Sequence, residues 1–164
     1  GSALTTQSLA SANSLRAFPF YVAKAMKIDR IALNVTAQGT GTTPRARLGI
    51  YEDDGTIYPG KLVLDAGEIN VSTTGVKQLT IDQALKAGKL YWLVLVGQDT
   101  ASLTSSAIPV ASAFATYIGF DATLTGTPIL GYAVAQTYGA LPATYPASAT
   151  EWSLPVPLIA VRKV

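Results

Sequence analysis

Many short apolar runs, separated at fairly regular intervals by Gly, Thr and Pro clusters, predict an all-β protein. The expected architecture is an antiparallel β-sandwich, jelly-roll-like in its connections. Two observations sharpen that reading. The run 89-KLYWLVLVG-97 is apolar on both faces, as a strand at the centre of a sandwich is. Only 82-DQALKAG-88 reads as helical, a single turn or so ended by Gly88.

The elements follow in chain order. The stretch 16-RAFPFYV-22 is extended, and Pro19, which cannot donate to a ladder, suits an edge. In 28-IDRIALNVT-36, Ile31, Leu33 and Val35 alternate with Arg30, Ala32 and Asn34, the period of a half-buried strand. In 44-PRARLGIY-51, Ala46, Leu48 and Ile50 face one way, and Arg45, Arg47 and Tyr51 the other. Next, 61-KLVLDAGEINV-71 reads as a strand with a bulge near Gly67, and 76-VKQLTI-81 as another. Later strands are expected at 115-ATYIGF-120, 129-ILGYAVAQ-136 and 157-PLIAVRK-163, with long loops at 98–113 and 139–155. No internal repeat and no second domain is visible, so residues 3–164 read as one sandwich domain. The opening 1-GS-2 reads as a cloning scar, and on that reading the chain is expected to be a segment of a longer protein.

Composition removes whole classes of chemistry. The 164 residues contain no cysteine, hence no disulfide framework and no thiolate metal site. They contain no histidine, which rules out Ser-His-Asp, Cys-His and HExxH machinery. Charged residues are 13% of the chain, where about 25% is usual, and the net charge is +2. The densest basic cluster is 162-RK-163, so there is no nucleic-acid footprint. No apolar run reaches the ~18 residues of a membrane span, and the start is not that of a signal peptide. No cofactor is implied.

The acidic turn 52-EDDG-55 raises the question of a metal. Asp53 and Asp54 could contribute to a calcium loop, but the twelfth-position Glu of that motif is missing. Asp and Gly also supply what a bend between two strands needs, and the turn is the preferred reading. Paired carboxylates for glycoside hydrolysis would have to face each other across a cleft, and neighbours within one hydrated turn do not. No catalytic residue is expected. The aromatics are more informative, because Tyr58, Tyr138, Tyr145 and Trp152 fall outside the predicted strands. Aromatic rings beside polar groups hold the CH faces and hydroxyl rims of sugars, so these four are the candidate ligand-binding residues. Trp92, inside an apolar run, is expected in the core. For Tyr145 and Trp152 an oligomer interface competes with a ligand platform. The apolar content of 106-SAIPVASAFA-115 and 154-LPVPLIAV-161 also favours self-association.

Taken in order, 28-IDRIALNVT-36, 46-ARLGIYEDDGTIYPGKLVLDAGEINVSTTGVKQLTI-81, 84-ALKAGKLYWLVLV-96, 131-GYAVAQTYGALPATYPA-147 and 155-PVPLIAVRK-163 resemble a domain of tailed-bacteriophage virion fibres. It lies toward the C-terminal end of tail-fibre, tail-spike or head-fibre proteins. The resemblance covers roughly residues 3–164 and implies a β-sandwich head, usually trimeric, at the tip of an elongated fibre. It further implies contact with the host cell surface, often with its glycans, and carries no catalytic residue. The expectation is therefore a non-enzymatic, homotrimeric adhesin of the virion. It would act outside the cell, bind bacterial surface polysaccharide or another host receptor, and adjoin other virion proteins. The competing expectation is a structural domain that trimerises or decorates the capsid without a ligand of its own.

Overall fold

The computed structural model describes residues 4–109, 119–120 and 128–164. Fourteen strands appear among them: β1 (Thr5–Ser8), β2 (Ser14–Val22), β3 (Met26–Ala37), β4 (Arg45–Asp53), β5 (Pro59–Asn70), β6 (Gly75–Leu85), β7 (Lys89–Gln98), β8 (Thr104–Ile108), β9 (Gly119–Phe120), β10 (Pro128–Ile129), β11 (Gly131–Ala135), β12 (Thr150–Trp152), β13 (Val156–Pro157) and β14 (Ile159–Lys163). They form the antiparallel sandwich that the sequence predicts. One sheet runs β1-β8-β3-β14, with β6 on the other edge of β3 and β13 beside β8. The second runs β12-β11-β2-β7-β4-β5, and β9 and β10 pair with each other.

Alternation decides which side chains meet between the sheets. Ile31, Leu33 and Val35 of β3 pack with Leu48 and Ile50 of β4 and with Leu93 and Leu95 of β7. The second sheet also has an apolar outer face, made by Leu15, Ala17, Tyr51, Trp92, Val94 and Val96. Leu141 and Tyr145, from the irregular chain between β11 and β12, cover it. That is why β7 is apolar on both sides, and Trp92 is fully buried as expected.

Three expectations are corrected. Residues 82–88 are not helical: β6 continues to Leu85, which pairs with Met26, and only Gly88, at φ 68°, marks the turn. Ala, Leu and Lys favour helix in isolation, but pairing along β3 outweighs that small preference. The loop expected at 98–113 contains β8, which its Thr-Ser-Ser-Ala composition hides. Its partners are β1, β3 and β13, and outward hydroxyls tie it down, as in Asn34 Nδ2 to Ser106 Oγ at 2.8 Å. Pro19 lies in a strand that is central, not marginal, because β2 runs between β7 and β11. However, β11 pairs only with Ser14 to Ala17, so Pro19 sits in the half of β2 with one described neighbour.

The bulge near Gly67 is present. Leu48 pairs with Gly67 and Gly49 with Asp65, leaving Ala66 extra, and Gly67 takes the left-handed φ of 98°. The strand expected at 115–120 lies outside the described residues except for β9. Inside the sandwich one charge stands out. Arg16 is 4% exposed, donates from Nη1 to the Ser8 carbonyl at 3.2 Å, and lies 4.7 Å over the Trp152 ring. Burial lowers its pKa to about 10.

Candidate functional site

The tyrosines singled out from the sequence hold down the irregular chain at 136–149. Tyr145 is 3% exposed, and its hydroxyl donates to the Leu15 carbonyl at 3.0 Å. Its ring meets Tyr51 edge-on at 5.5 Å and Tyr58 at 5.9 Å. Tyr58 packs at a tilt against Tyr132, with ring centroids 4.7 Å apart, and its hydroxyl donates to the Pro146 carbonyl. Tyr51 donates to the Pro142 carbonyl at 2.6 Å. A chain segment without regular strands has carbonyls with no ladder partner, and a buried carbonyl left bare is costly. Here Tyr51 from β4 and Tyr58 from the β4–β5 turn reach over to satisfy two of them.

Asp65 supports the same segment from the neighbouring strand. Its Oδ2 accepts the Leu141 N–H at 3.0 Å, while Arg47 grips the carboxylate through Nη1 at 2.9 and 3.0 Å. Arg47 also binds Glu68 at 3.1 Å. Burial works against the charge of Glu68, but the nearby Tyr138 and Arg47 outweigh it, and its pKa is lowered. Tyr138 donates its N–H to Asn13 Oδ1. Its buried hydroxyl meets no acceptor at hydrogen-bond geometry, and burial followed by the Glu68 carboxylate pushes its pKa up to about 12. Burial likewise raises Tyr51, Tyr58 and Tyr145.

Trp152 is elsewhere. It packs edge-on against Phe18 at 6.0 Å on the inner side of the second sheet, and its Nε1 donates to the Pro155 carbonyl. The structure therefore brings Tyr58 and Tyr145 together, with Tyr138 in the same cover, and separates Trp152 from them. The hydroxyls of Tyr58 and Tyr145 and the indole N–H of Trp152 are engaged in internal hydrogen bonds, while the Tyr138 hydroxyl has no partner at hydrogen-bond geometry among the described residues.

The 52-EDDG-55 segment is a turn. Asp53 Oδ2 accepts the Gly55 N–H at 2.9 Å, and Asp54 Oδ1 accepts both the N–H and the hydroxyl of Thr56. Asp53 Oδ1 also accepts the Trp92 indole N–H at 3.1 Å. Both carboxylates serve the bend, and no group of three or more metal-ligating side chains occurs among the described residues.

The turn does help to build a cleft that the sequence did not suggest. Three chain segments converge at one end of the sandwich: the end of β2, the β4–β5 turn, and the passage from β6 into β7. The register aligns Tyr21 with Leu90 and Glu52 with Tyr91. Between them opens a cleft of about 610 Å³, lined by Tyr21, Glu52, Asp53, Ile57, Gln83, Lys86, Lys89 and Tyr91 over an apolar floor of Val63 and Leu90. Tyr21 is 54% exposed and Ile57 45%. Ile57 has φ 63°, a left-handed conformation that costs a β-branched residue dearly. Tyr91 accepts the Lys86 N–H at 3.0 Å and fixes the far wall.

Chemically, the cleft offers an exposed ring, an apolar floor, and carboxylate, amide and ammonium groups around the rim. That combination suits a polyol ligand, whose CH faces stack and whose hydroxyls need both donors and acceptors. Glu52 and Asp53 are consecutive residues of β4, not a pair of carboxyls facing across a bond. Sequence reasoning missed Tyr21, Ile57 and the β6–β7 rim. The available signal was a tyrosine one residue before the end of an apolar strand. No family model matches the chain, and no curated protein matches it.

Proposed function

We propose that this domain is a non-enzymatic attachment module at the tip of a bacteriophage fibre, binding bacterial surface polysaccharide through the end cleft. The observation that carries the reading is the exposed Tyr21 standing with the strained Ile57 at the mouth of a cleft rimmed by hydrogen-bonding groups. The resemblance to fibre-tip domains supplies the setting: a homotrimer on the virion, working outside the cell beside other virion proteins. Several copies on one particle raise the effective concentration at the surface, so each cleft can bind weakly and the fibre still hold.

Binding to a panel of immobilised bacterial polysaccharides tests this directly. Tyr21→Ala removes the stacking ring and is expected to weaken binding about tenfold, the equivalent of roughly 1.4 kcal/mol. Tyr138→Phe, within the coil cover, is expected to leave it unchanged. Binding that survives Tyr21→Ala at full strength removes the cleft from consideration. Release of reducing ends from the polysaccharide would make the protein an enzyme. The second reading, a structural domain that only joins copies together, is favoured by the edge of β6 that has no partner strand among the described residues.

A further inference from the structure

We infer that β6 is a homotypic docking strand, pairing antiparallel with β6 of a second copy about a twofold axis at Thr80. The inference stands independently of the polysaccharide reading. β6 is one of the longest strands of the fold, and β3 pairs with one of its edges. Among the described residues its other edge has no partner strand. Such an edge presents a row of backbone N–H and C=O groups that templates another strand. Natural edges are blunted by proline, by dense charge or by a bulge that turns the strand away. β6 holds no proline, and its charges are Lys77 and Asp82. The register shift against β3 leaves one extra residue in β6 between Thr80 and Gln83, yet exposed and half-buried residues still alternate without a break from Val76 to Ala84, so the strand keeps one inner and one outer row.

The side chains choose the partner. A twofold axis normal to the sheet keeps inner and outer faces together, so opposed residues must have the same parity. With Thr80 on the axis, Leu79 opposes Ile81 on the inner face, twice by symmetry. These two side chains are only half-buried at the open flank of the sandwich, against the inner core. A second copy would complete their cover. On the outer face Thr80 opposes itself, Gln78 opposes Asp82, and the exposed Val76 opposes Ala84. Lys77 falls opposite Gln83. No two like charges meet, and every cross-strand pair is apolar with apolar or polar with polar. A foreign strand would need that pattern by chance, whereas a second copy has it by construction. The contact is isologous, so two single copies close at two, and two threefold heads close as a pair when the twofold axis crosses the threefold.

Because the chain has no cysteine, Thr80→Cys introduces a single thiol at the axis. Opposed Cα atoms in an antiparallel pair are about 4.5–5.5 Å apart. That lies within the span of about 4.4–6.8 Å that a disulfide bridges. Two copies of Val76→Cys in the same register would be about 27 Å apart, eight residues at ~3.4 Å each. Under a mild added oxidant, Thr80→Cys is expected to give a covalent dimer and Val76→Cys none. Thr80 is exposed, so Thr80→Lys and Thr80→Glu should fold normally. Each alone should halve the assembly mass seen by light scattering, and an equal mixture should restore it. Halving holds whether the variant is left as a monomer or as the threefold head. The inference is overturned if Val76→Cys cross-links as readily as Thr80→Cys, if Thr80→Cys does not cross-link, or if the assembly mass ignores the charge at position 80.

Discussion

The two faces of the second sheet are covered in different ways. The inner face meets another sheet, and its cluster is mostly aliphatic: Leu48, Ile50, Leu93 and Leu95 against Ile31 and Leu33. The outer face meets an irregular chain, and its cluster is rich in aromatic and hydroxyl-bearing residues: Tyr51, Trp92 and Tyr145, with Tyr58, Tyr132 and Tyr138 at the margin. A covering sheet satisfies its own backbone through its ladder, so aliphatic side chains suffice. A covering coil cannot, so the sheet beneath it must bring donors. Tyrosine brings an apolar ring and a donor together, and Tyr51, Tyr58 and Tyr145 each give a hydroxyl to a carbonyl, two of them in the cover itself.

The largest expected difference between the faces appears in alkali. Burial raises the pKa of Tyr51 and Tyr145 above the unfolded value of about 10. The folded state therefore keeps protons that the unfolded chain releases. Their contribution is whole below about pH 10 and is lost as pH rises further, at about 1.4 kcal/mol per pH unit for each tyrosine. By about pH 12 the two together should have removed roughly 5 kcal/mol, enough to unfold many domains. Denaturant midpoints should drop steeply above pH 10, and tyrosinate absorbance should rise together with unfolding. A tyrosinate signal that develops fully while the fold persists would contradict the buried coil cover.

Truncation separates the faces next. Leu33→Ala opens a hole between the sheets and should cost about 2–5 kcal/mol. Tyr145→Ala should cost a similar ~3–5 kcal/mol but with a local consequence the first lacks. It frees the chain at 136–149, so limited proteolysis there should accelerate while the sheets stay paired. Tyr145→Phe keeps the ring and loses the bond to the Leu15 carbonyl, for about 1 kcal/mol. Equal protease sensitivity of the Leu33→Ala and Tyr145→Ala variants would mean that the two covers are not distinct.

The inner face was legible in the sequence, and the outer one only where β7 crosses it. Ile31, Leu33 and Val35, or Ala46, Leu48 and Ile50, declare a strand because alternation is a local signal. Trp92 announced burial from the apolar run around it. Tyr145 looked like a loop aromatic free for a ligand because its partners Leu15, Tyr51 and Tyr58 are all far from it in sequence. β8 was hidden for another reason: Thr, Ser and Ala give almost no hydrophobic alternation, and its outward hydroxyls are matched by Asn34 and Thr36 on β3. The cleft was invisible on both counts. Tyr21, Ile57 and Lys86 each look ordinary in their own segment, and only the register of β2, β4 and β7 assembles them.

Ile57 gives the smallest effect and the one that bears most directly on what the cleft is for. A β-branched side chain held at φ 63° costs roughly 1–2 kcal/mol relative to an ordinary backbone, and much of the Ile57 side chain lies in solvent. Ile57→Gly relieves the conformation and adds unfolded-state entropy, two opposing terms of similar size with relief the larger. Ile57→Asn also tolerates the left-handed region and keeps some of that gain without glycine's freedom. Both variants should therefore unfold at slightly higher denaturant, by up to about 1 kcal/mol. If the side chain were merely tolerated, that gain would come with no loss elsewhere. If strain is retained because Ile57 shapes the cleft that Tyr21 also lines, both variants should gain stability and bind polysaccharide more weakly. Measuring both quantities on the same two variants distinguishes a turn that only connects β4 to β5 from one that also serves a ligand.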